Sequence, residues 1–338
     1  MLISVVIPTL NEGSSIKGLL DQLENQSGIK LEVIVVDGGS TDETKTQLID
    51  SDVKLIESET GRGSQMNKGA RAALGEYLLF LHADSKLSCD YQIAYAVSQV
   101  ASESGKVAGH FKLSFDTADL ALKKHLRYFE EKSSLNRPGT WNGDQGLLIS
   151  ARTFWEAGGF WEELPFLEDQ DFAKRFHKIG QFITCDSLLI TSARRFELEG
   201  LAERATVNAI IMAMFHLRLN DFFAQADEIY RSDHRPKSLD PLTFLELAKR
   251  LIFKGKVTLI FQRLYQLGQY ATKNMWQLAL ARGIKKGTID HHLKVYDRRL
   301  KSLIDHPVGY LMLMAITVLW MHIARWRLAS QRSQTHSS

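Results

Sequence analysis

Three polar clusters hold the residues best suited to chemistry: Thr9-Leu10-Asn11-Glu12, Asp37-Gly38-Gly39-Ser40 and His82-Ala83-Asp84. Each follows directly on an apolar run, so each lies where a buried strand ends. Gly61-Arg62-Gly63 offers backbone amides and a guanidinium at a helix start, which suits phosphate or base contacts. It equally describes a flexible loop with a solvated arginine. Further along stand Gly143-Asp144-Gln145-Gly146 and the acidic run Glu168-Asp169-Gln170-Asp171. Such a run can simply decorate a first helical turn, and Asp37 to Ser40 can be a tight turn with a cap.

The elements that must position these residues can be read from the same stretch. Leu2 to Pro8, Leu31 to Val36, Val53 to Ile56 and Glu76 to Leu81 are short apolar runs typical of buried parallel strands. Ile16, Leu19, Leu20 and Leu23 recur at helical spacing behind Ser14 and Ser15, and Ser64 to Leu74 is helical too. Ser40 and Glu43 fit a capping box that would open another helix. Alternation of this kind predicts a parallel sheet with right-handed crossovers, whose ligands sit beyond the carboxyl ends of the strands. The three clusters converge there. Later, Val107 to Phe115, Leu147 to Ile149 and Ser187 to Ile190 read as strands. Ala118 to Ser133 and a segment from Glu168 to Ile179 read as helices.

Composition bounds the class. The chain has 338 residues, 44% hydrophobic and 24% charged, as in globular proteins. Two cysteines, Cys89 and Cys185, are too few for a disulfide framework. With no secretory pattern at Met1 to Pro8, a cytoplasmic location is expected. Charge is divided unevenly. Residues 1–230 carry 23 Lys+Arg against 33 Asp+Glu, and residues 231–338 carry 19 against 6. The basic part is suited to an anionic surface.

The order of motifs resembles a known family. Val5 to Glu12, Val35 to Asp42, Gly61 to Ala70, Leu79 to Asp84, Gly143 to Gly146 and Glu168-Asp169 together look like a family 2 glycosyltransferase. Within it they resemble the radical-SAM/selenodomain-associated or arsenosugar-type branch, over roughly residues 1–230. The resemblance implies an α/β GT-A fold with a mostly parallel sheet, followed here by a basic α-helical region. It also implies a nucleotide-diphosphate sugar donor and Mg²⁺ or Mn²⁺. The expected domains are catalytic 1–230, helical 231–329 and a disordered tail 330–338.

The resemblance also implies residue roles. Asp37 would accept hydrogen bonds from base or ribose, with Pro8, Thr9, Asn11, Glu12 and Gly39 in the same pocket, and Arg62 and Asn67 reaching nucleotide or sugar. Ala83 and Asp84 stand at a carboxylate-x-carboxylate metal motif whose first carboxylate is His82 here. Asp84 is the expected ligand and His82 a weaker one. One carboxylate suffices for a metal that draws other ligands from phosphates. Asp169, partnered by Glu168, maps to the base of an inverting transfer. Gly143, Asp144 and Gln145 would line the sugar site, and Trp141 could stack on a sugar face or simply pack. Arg195 would hold phosphate, or pair with Glu197 or Glu199.

In the basic third, Val308 to Ala324 is a 17-residue uncharged run, about 26 Å as a helix, borderline against a bilayer core of about 30 Å. Spanning, lying on a membrane and packing in a soluble domain all fit it. Basic amphipathic segments from Leu242 to Gly283 favour association with the cytoplasmic face of an anionic membrane. No nucleic-acid motif accompanies them. The expected acceptor is a small molecule or a lipid. Two alternatives stand beside the transferase: a polyprenyl-phosphate sugar synthase, and a catalytically silent nucleotide-binding or membrane scaffold.

Overall fold

The structure is a computed structural model that describes residues 1–49, 51–232 and 239–335. It divides into two compact units, Met1–Ala193 and Arg194–Ser338. The division falls upstream of the change in charge at 231. Residues 233–238 of the expected basic region lie outside the described residues, as do 336–338 of the expected tail.

The first unit is an eight-stranded α/β sheet. Its elements are β1 (Leu2–Thr9), α1 (Ile16–Glu24), β2 (Lys30–Asp37), β3 (Lys54–Glu57), α2 (Arg62–Ala72), β4 (Tyr77–Phe80) and β5 (Lys86–Leu87). Next come α3 (Gln92–Ser102), β6 (Val107–Asp116), α4 (Leu120–Ser133), β7 (Leu147–Ser150), α5 (Ala151–Glu156), α6 (Glu168–Phe176) and β8 (Gln181–Ser192). Strand order is β3-β2-β1-β4-β7-β6-β8-β5. β1 pairs in parallel with β2 and β4, β2 with β3, and β6 with β8, while β7 and β5 run antiparallel to their neighbours. This is the mostly parallel GT-A arrangement.

Alternation along β1 explains the two-sided burial. Ile3, Val5 and Ile7 join α1 and α3 residues such as Leu19 and Val97 in one apolar layer. Val6 faces the other layer, with Met66 and Ala70 of α2 and Phe154, Phe172 and Phe176 of α5 and α6. A Cβ on Gly69 would overlap Val6 Cγ1, so glycine there lets α2 press onto the sheet.

The helix expected to open at Ser40 is absent. After Asp37 the chain forms turns and one short 3₁₀ segment, Thr46–Leu48. The reason lies in hydrogen bonding: Ser40 and Thr44 turn toward Asp37 and Asp42 instead of capping a helix. β5, a two-residue strand on β8, is too short for periodicity to reveal.

The second unit is helical: α7 (Arg194–Glu199), α8 (Leu201–His216), α9 (Asn220–Ser232), α10 (Pro241–Ile252), α11 (Val257–Lys273), α12 (Trp276–Lys286), α13 (Ile289–Val295), α14 (Lys301–Ile304) and α15 (Pro307–Thr335). α15 packs on α10 and α11. It continues through Ser330 to Thr335, where an unstructured tail was expected, because the polar residues after Ala329 carry no helix breaker.

Candidate active site

β1 sits between β2 and β4, so the chain reverses its direction of travel across the sheet there. Parallel sheets open a crevice at such a reversal, beyond the carboxyl ends of the strands. The register pairs Thr9 with Asp37 and Val6 with Phe80, bringing the three polar clusters to one edge. Gln65 of α2 holds the floor in place. Its buried amide donates to the carbonyls of Thr9 at 2.9 Å and Val36 at 2.8 Å.

Asp37 is fully buried and organises a turn. Its carboxylate accepts from the backbone amides of Gly39 and Ser40, both at 3.0 Å, and from Ser40 Oγ at 2.5 Å. Burial works to raise its pKa. The Ser40 and Gly39 hydrogen bonds and the charge of Lys45, at 3.6 Å, outweigh that and hold the carboxyl below its ordinary value. The β1 end is laced to this loop. Asn11, in the left-handed region at φ 57, donates its amide to Ser40 Oγ and accepts from the Thr41 amide, and the Glu12 amide donates to Thr44. Pro8 is half-buried on β1, and Gly39 is exposed at the rim.

At the end of β4, Ala83 is buried and Asp84 half-buried. Among the described residues no side chain bonds or pairs with the Asp84 carboxylate. His82 Nδ1 lies 3.0 Å from Asp144 Oδ1, so that ring nitrogen is already engaged. No group of three or more His, Cys, Asp or Glu among the described residues could hold a metal by protein ligands alone.

The acidic pair comes from α6. Leu167, just before it, takes the left-handed conformation (φ 68, ψ 21), a strained position for a leucine that turns the chain sharply into the helix. Glu168 and Asp169 are 1% and 6% exposed. Asp169 accepts from the Gly143 amide at 2.9 Å and the Gln170 amide at 2.7 Å. Arg62 Nε donates to Glu168 Oε1, and Glu168 Oε2 is buried with no hydrogen-bond partner. Burial, then the neighbouring Glu168 charge, push the Asp169 carboxyl above its ordinary value, against the pull of Arg62 and the two amides. The pair and His82 line a narrow cleft of only about 10 Å³, walled by Met66, Phe80, Trp141 and Phe160. A carboxylate with raised proton affinity, at the edge of a strand-end crevice, can accept a proton from a ligand.

Several expected site residues serve the fold itself. Gln145 is fully buried, donating to His110 Nδ1 at 2.8 Å and the Ser133 carbonyl at 3.1 Å, and accepting from the Asn142 amide. It therefore anchors the Gly143-Asp144 turn and presents nothing to a sugar. Trp141 is 3% exposed, stacked on Phe182 with its indole N–H on the Gly146 carbonyl, so it packs. Asn67 is buried and uses its whole amide on Phe160 and Glu162. Gly143 and Asp144 remain at the site, Asp144 half-exposed. Arg195 is exposed on α7 in the second unit, where Glu199 is taken by Arg204. Gln65 and the Arg62–Glu168 pairing had no signal in the sequence.

Residues 4–146 match the model of Glycosyl transferase family 2. The matched segment is 143 of the 338 residues. It contains β1 to β4, the Arg62 helix and the Gly143 turn. The chain is similar to a PGL/p-HBAD biosynthesis glycosyltransferase of Mycobacterium bovis (strain BCG / Pasteur 1173P2), 37% identical over 93 residues, covering 25% of this chain and 36% of that protein. It is also similar to an uncharacterized glycosyltransferase of Rickettsia bellii (strain RML369-C), 25% identical over 223 residues, covering 59% and 30%. The chain thus spans about a third of the length of these curated relatives. Among solved structures, S. aureus TarS 1–349 in complex with UDP is 17% identical with a TM-score of 0.48, covering 89% of this chain and 92% of that one.

Proposed function

We propose that this protein is a membrane-associated glycosyltransferase, acting at the cytoplasmic face, that moves a sugar with inversion from a nucleotide-diphosphate sugar to an acceptor hydroxyl. The observation that carries this is the buried Glu168–Asp169 pair meeting Arg62 and His82 at the strand-end crevice. In this reading Asp169 takes the acceptor proton as the hydroxyl attacks C1, and its raised proton affinity suits that task. Arg62 carries positive charge at the start of α2, close to where a diphosphate would sit. The rim residues Asn11, Glu12 and Gly39, with the ordered Asp37 turn behind them, would face the nucleoside.

A half-buried carboxylate without a partner fits a divalent cation, so Asp84 would hold Mg²⁺ or Mn²⁺ and His82 would stand beside it. Such an ion takes much of its coordination from phosphate and water, so one carboxylate is enough to seat it. Bound there, the metal would offset diphosphate charge as the nucleotide departs. The His82-Ala83-Asp84 and Gly61 to Ala70 motifs support the radical-SAM/selenodomain-associated or arsenosugar-type branch. The exposed apolar face of α15 favours a second reading of the acceptor, a polyprenyl phosphate.

A thermal-shift screen of UDP, GDP, CDP and dTDP with and without Mn²⁺ tests the donor half. A nucleotide at a hundred times its dissociation constant adds about 2.7 kcal/mol. A metal-dependent shift with one base is the expected result. Folded protein unmoved by all four would favour the scaffold reading.

A further inference from the structure

α15 has two unlike sides. Leu313 and Met321 are buried on one, against α10 and α11. On that side Gly268 of α11 lies against the Tyr310 carbonyl, and Arg325 pairs with Glu246 of α10 at 3.2 Å. The other side carries Val308, Met312, Ile316, Leu319, Ile323 and Trp326, between 43% and 69% exposed. Spacings of three and four place these six in one stripe along the helix. No described residue covers it. Monomeric proteins rarely leave so long an apolar surface in water.

By length and composition Pro307–Arg332 is able to cross a membrane, and only 17% of its most apolar stretch is buried. The packing argues against a crossing. α10 and α11 run beside α15 and carry Glu246, Lys249, Arg250 and Arg263, and Arg263 donates to the carbonyls of Leu251 and Lys254. A spanning α15 would draw this charged layer into hydrocarbon, where each charge is costly. Laid flat, the helix buries only its stripe at the acyl boundary and leaves α10 and α11 wetted. Arg298, Arg299 and Lys301 before it, and Arg327 in its carboxyl-terminal part, supply positive charge at both ends of the stripe. That charge complements anionic headgroups.

We infer that α15 is an in-plane docking helix for an anionic bilayer, with its Val308–Trp326 stripe seated at the headgroup–acyl boundary. This rests on the membrane association proposed above and specifies its geometry. The test uses the full chain with vesicles of phosphatidylcholine, with and without phosphatidylglycerol. Co-sedimentation should require phosphatidylglycerol and weaken with salt. The double variant Ile316→Glu, Leu319→Glu should lower vesicle affinity about tenfold or more. Its nucleotide-induced thermal shift should be unchanged, which separates lost docking from a lost fold or a wrong donor assignment. Trp326 fluorescence, taken as the difference from Trp326→Phe, should be quenched most by lipids brominated near the headgroup. Strongest quenching by lipids brominated near the bilayer centre would mean a crossing helix and overturn the inference. So would wild-type protein that ignores phosphatidylglycerol, or a vesicle-free dimer abolished by the double variant.

Discussion

Arg62 and Glu168 are 106 residues apart in sequence, yet Arg62 Nε donates directly to Glu168 Oε1. This contact joins the start of α2 to the start of α6 and sets the charge balance of the crevice. Glu168 is 1% exposed and Arg62 about a third exposed. The carboxylate therefore depends on the guanidinium for most of its compensation. Burial opposes the Arg62 charge, but Glu168, Asp169 and Asp144 together hold its proton affinity above the ordinary value.

Removing that charge should be felt in two ways. Arg62→Ala leaves a buried carboxylate uncompensated. Breaking a fully buried pair costs roughly 3–5 kcal/mol; partial exposure of the arginine reduces the expectation to about 1–3 kcal/mol. Arg62 also pulls the Asp169 pKa down, so its loss should move the acid limb of the pH–rate profile to higher pH. Urea denaturation and a pH series of initial rates check the two effects. An unmoved limb would mean that Asp169 does not control the rate.

Asp169→Asn should keep nucleotide binding and reduce transfer by about 10²–10⁴-fold, the usual contribution of a positioned base. Activity of the wild type should rise with pH through the raised Asp169 pKa. The stability effect has the opposite sign. A carboxyl whose pKa is raised by folding binds its proton more tightly in the folded state, so stability falls as pH rises from the unfolded value, about 3.9, through the folded one. Asn removes that loss. The variant should melt higher than wild type at neutral pH, with the difference vanishing toward pH ~4.

Asp84→Asn changes a carboxylate that pairs with no described residue, so stability should stay within about 0.5 kcal/mol. Nucleotide affinity in the presence of Mn²⁺ should fall about tenfold or more, while metal-free affinity is unchanged. Isothermal titration with and without Mn²⁺ reads both. Equal losses in the two conditions would remove Asp84 from the metal site.

The strand ends were legible because β-branched runs followed by polar clusters report local structure, and the register then gathers Thr9, Asp37 and the His82–Asp84 segment without further information. What lay beyond reach depends on partners distant in sequence. Gln145 and Asn67 carry polar side chains of the kind that bind sugars, but whether an amide faces a ligand or the core is decided by His110, Ser133 and Phe160, on other elements. The Ser40–Glu43 pattern is a valid cap locally. It gives way because Asp37, held on the β1–β2 edge, offers Ser40 a stronger acceptor. The stripe on α15 was visible as hydrophobicity and Leu242 to Gly283 as basic amphipathic segments, but the packing of α10 and α11 on α15 was not.

Two glycines provide a matched test of how α2 is held. In a helix interior Gly→Ala alone favours folding by about 1 kcal/mol. Gly18 of α1 has open space where its Cβ would be, so Gly18→Ala should raise stability by about 0.5–1 kcal/mol. Gly69 of α2 has Val6 and Val36 of the sheet in that place. Both valines are fully buried in the central strands and cannot retreat, so overpacking costs about 1–3 kcal/mol and outweighs the helical gain. Gly69→Ala should therefore destabilise. Lifting α2 would also shift Gln65 from the strand-end carbonyls and Arg62 from Glu168. Paired melts of the two variants give the sign directly. Stabilisation by both would mean that α2 does not press on the sheet at Gly69.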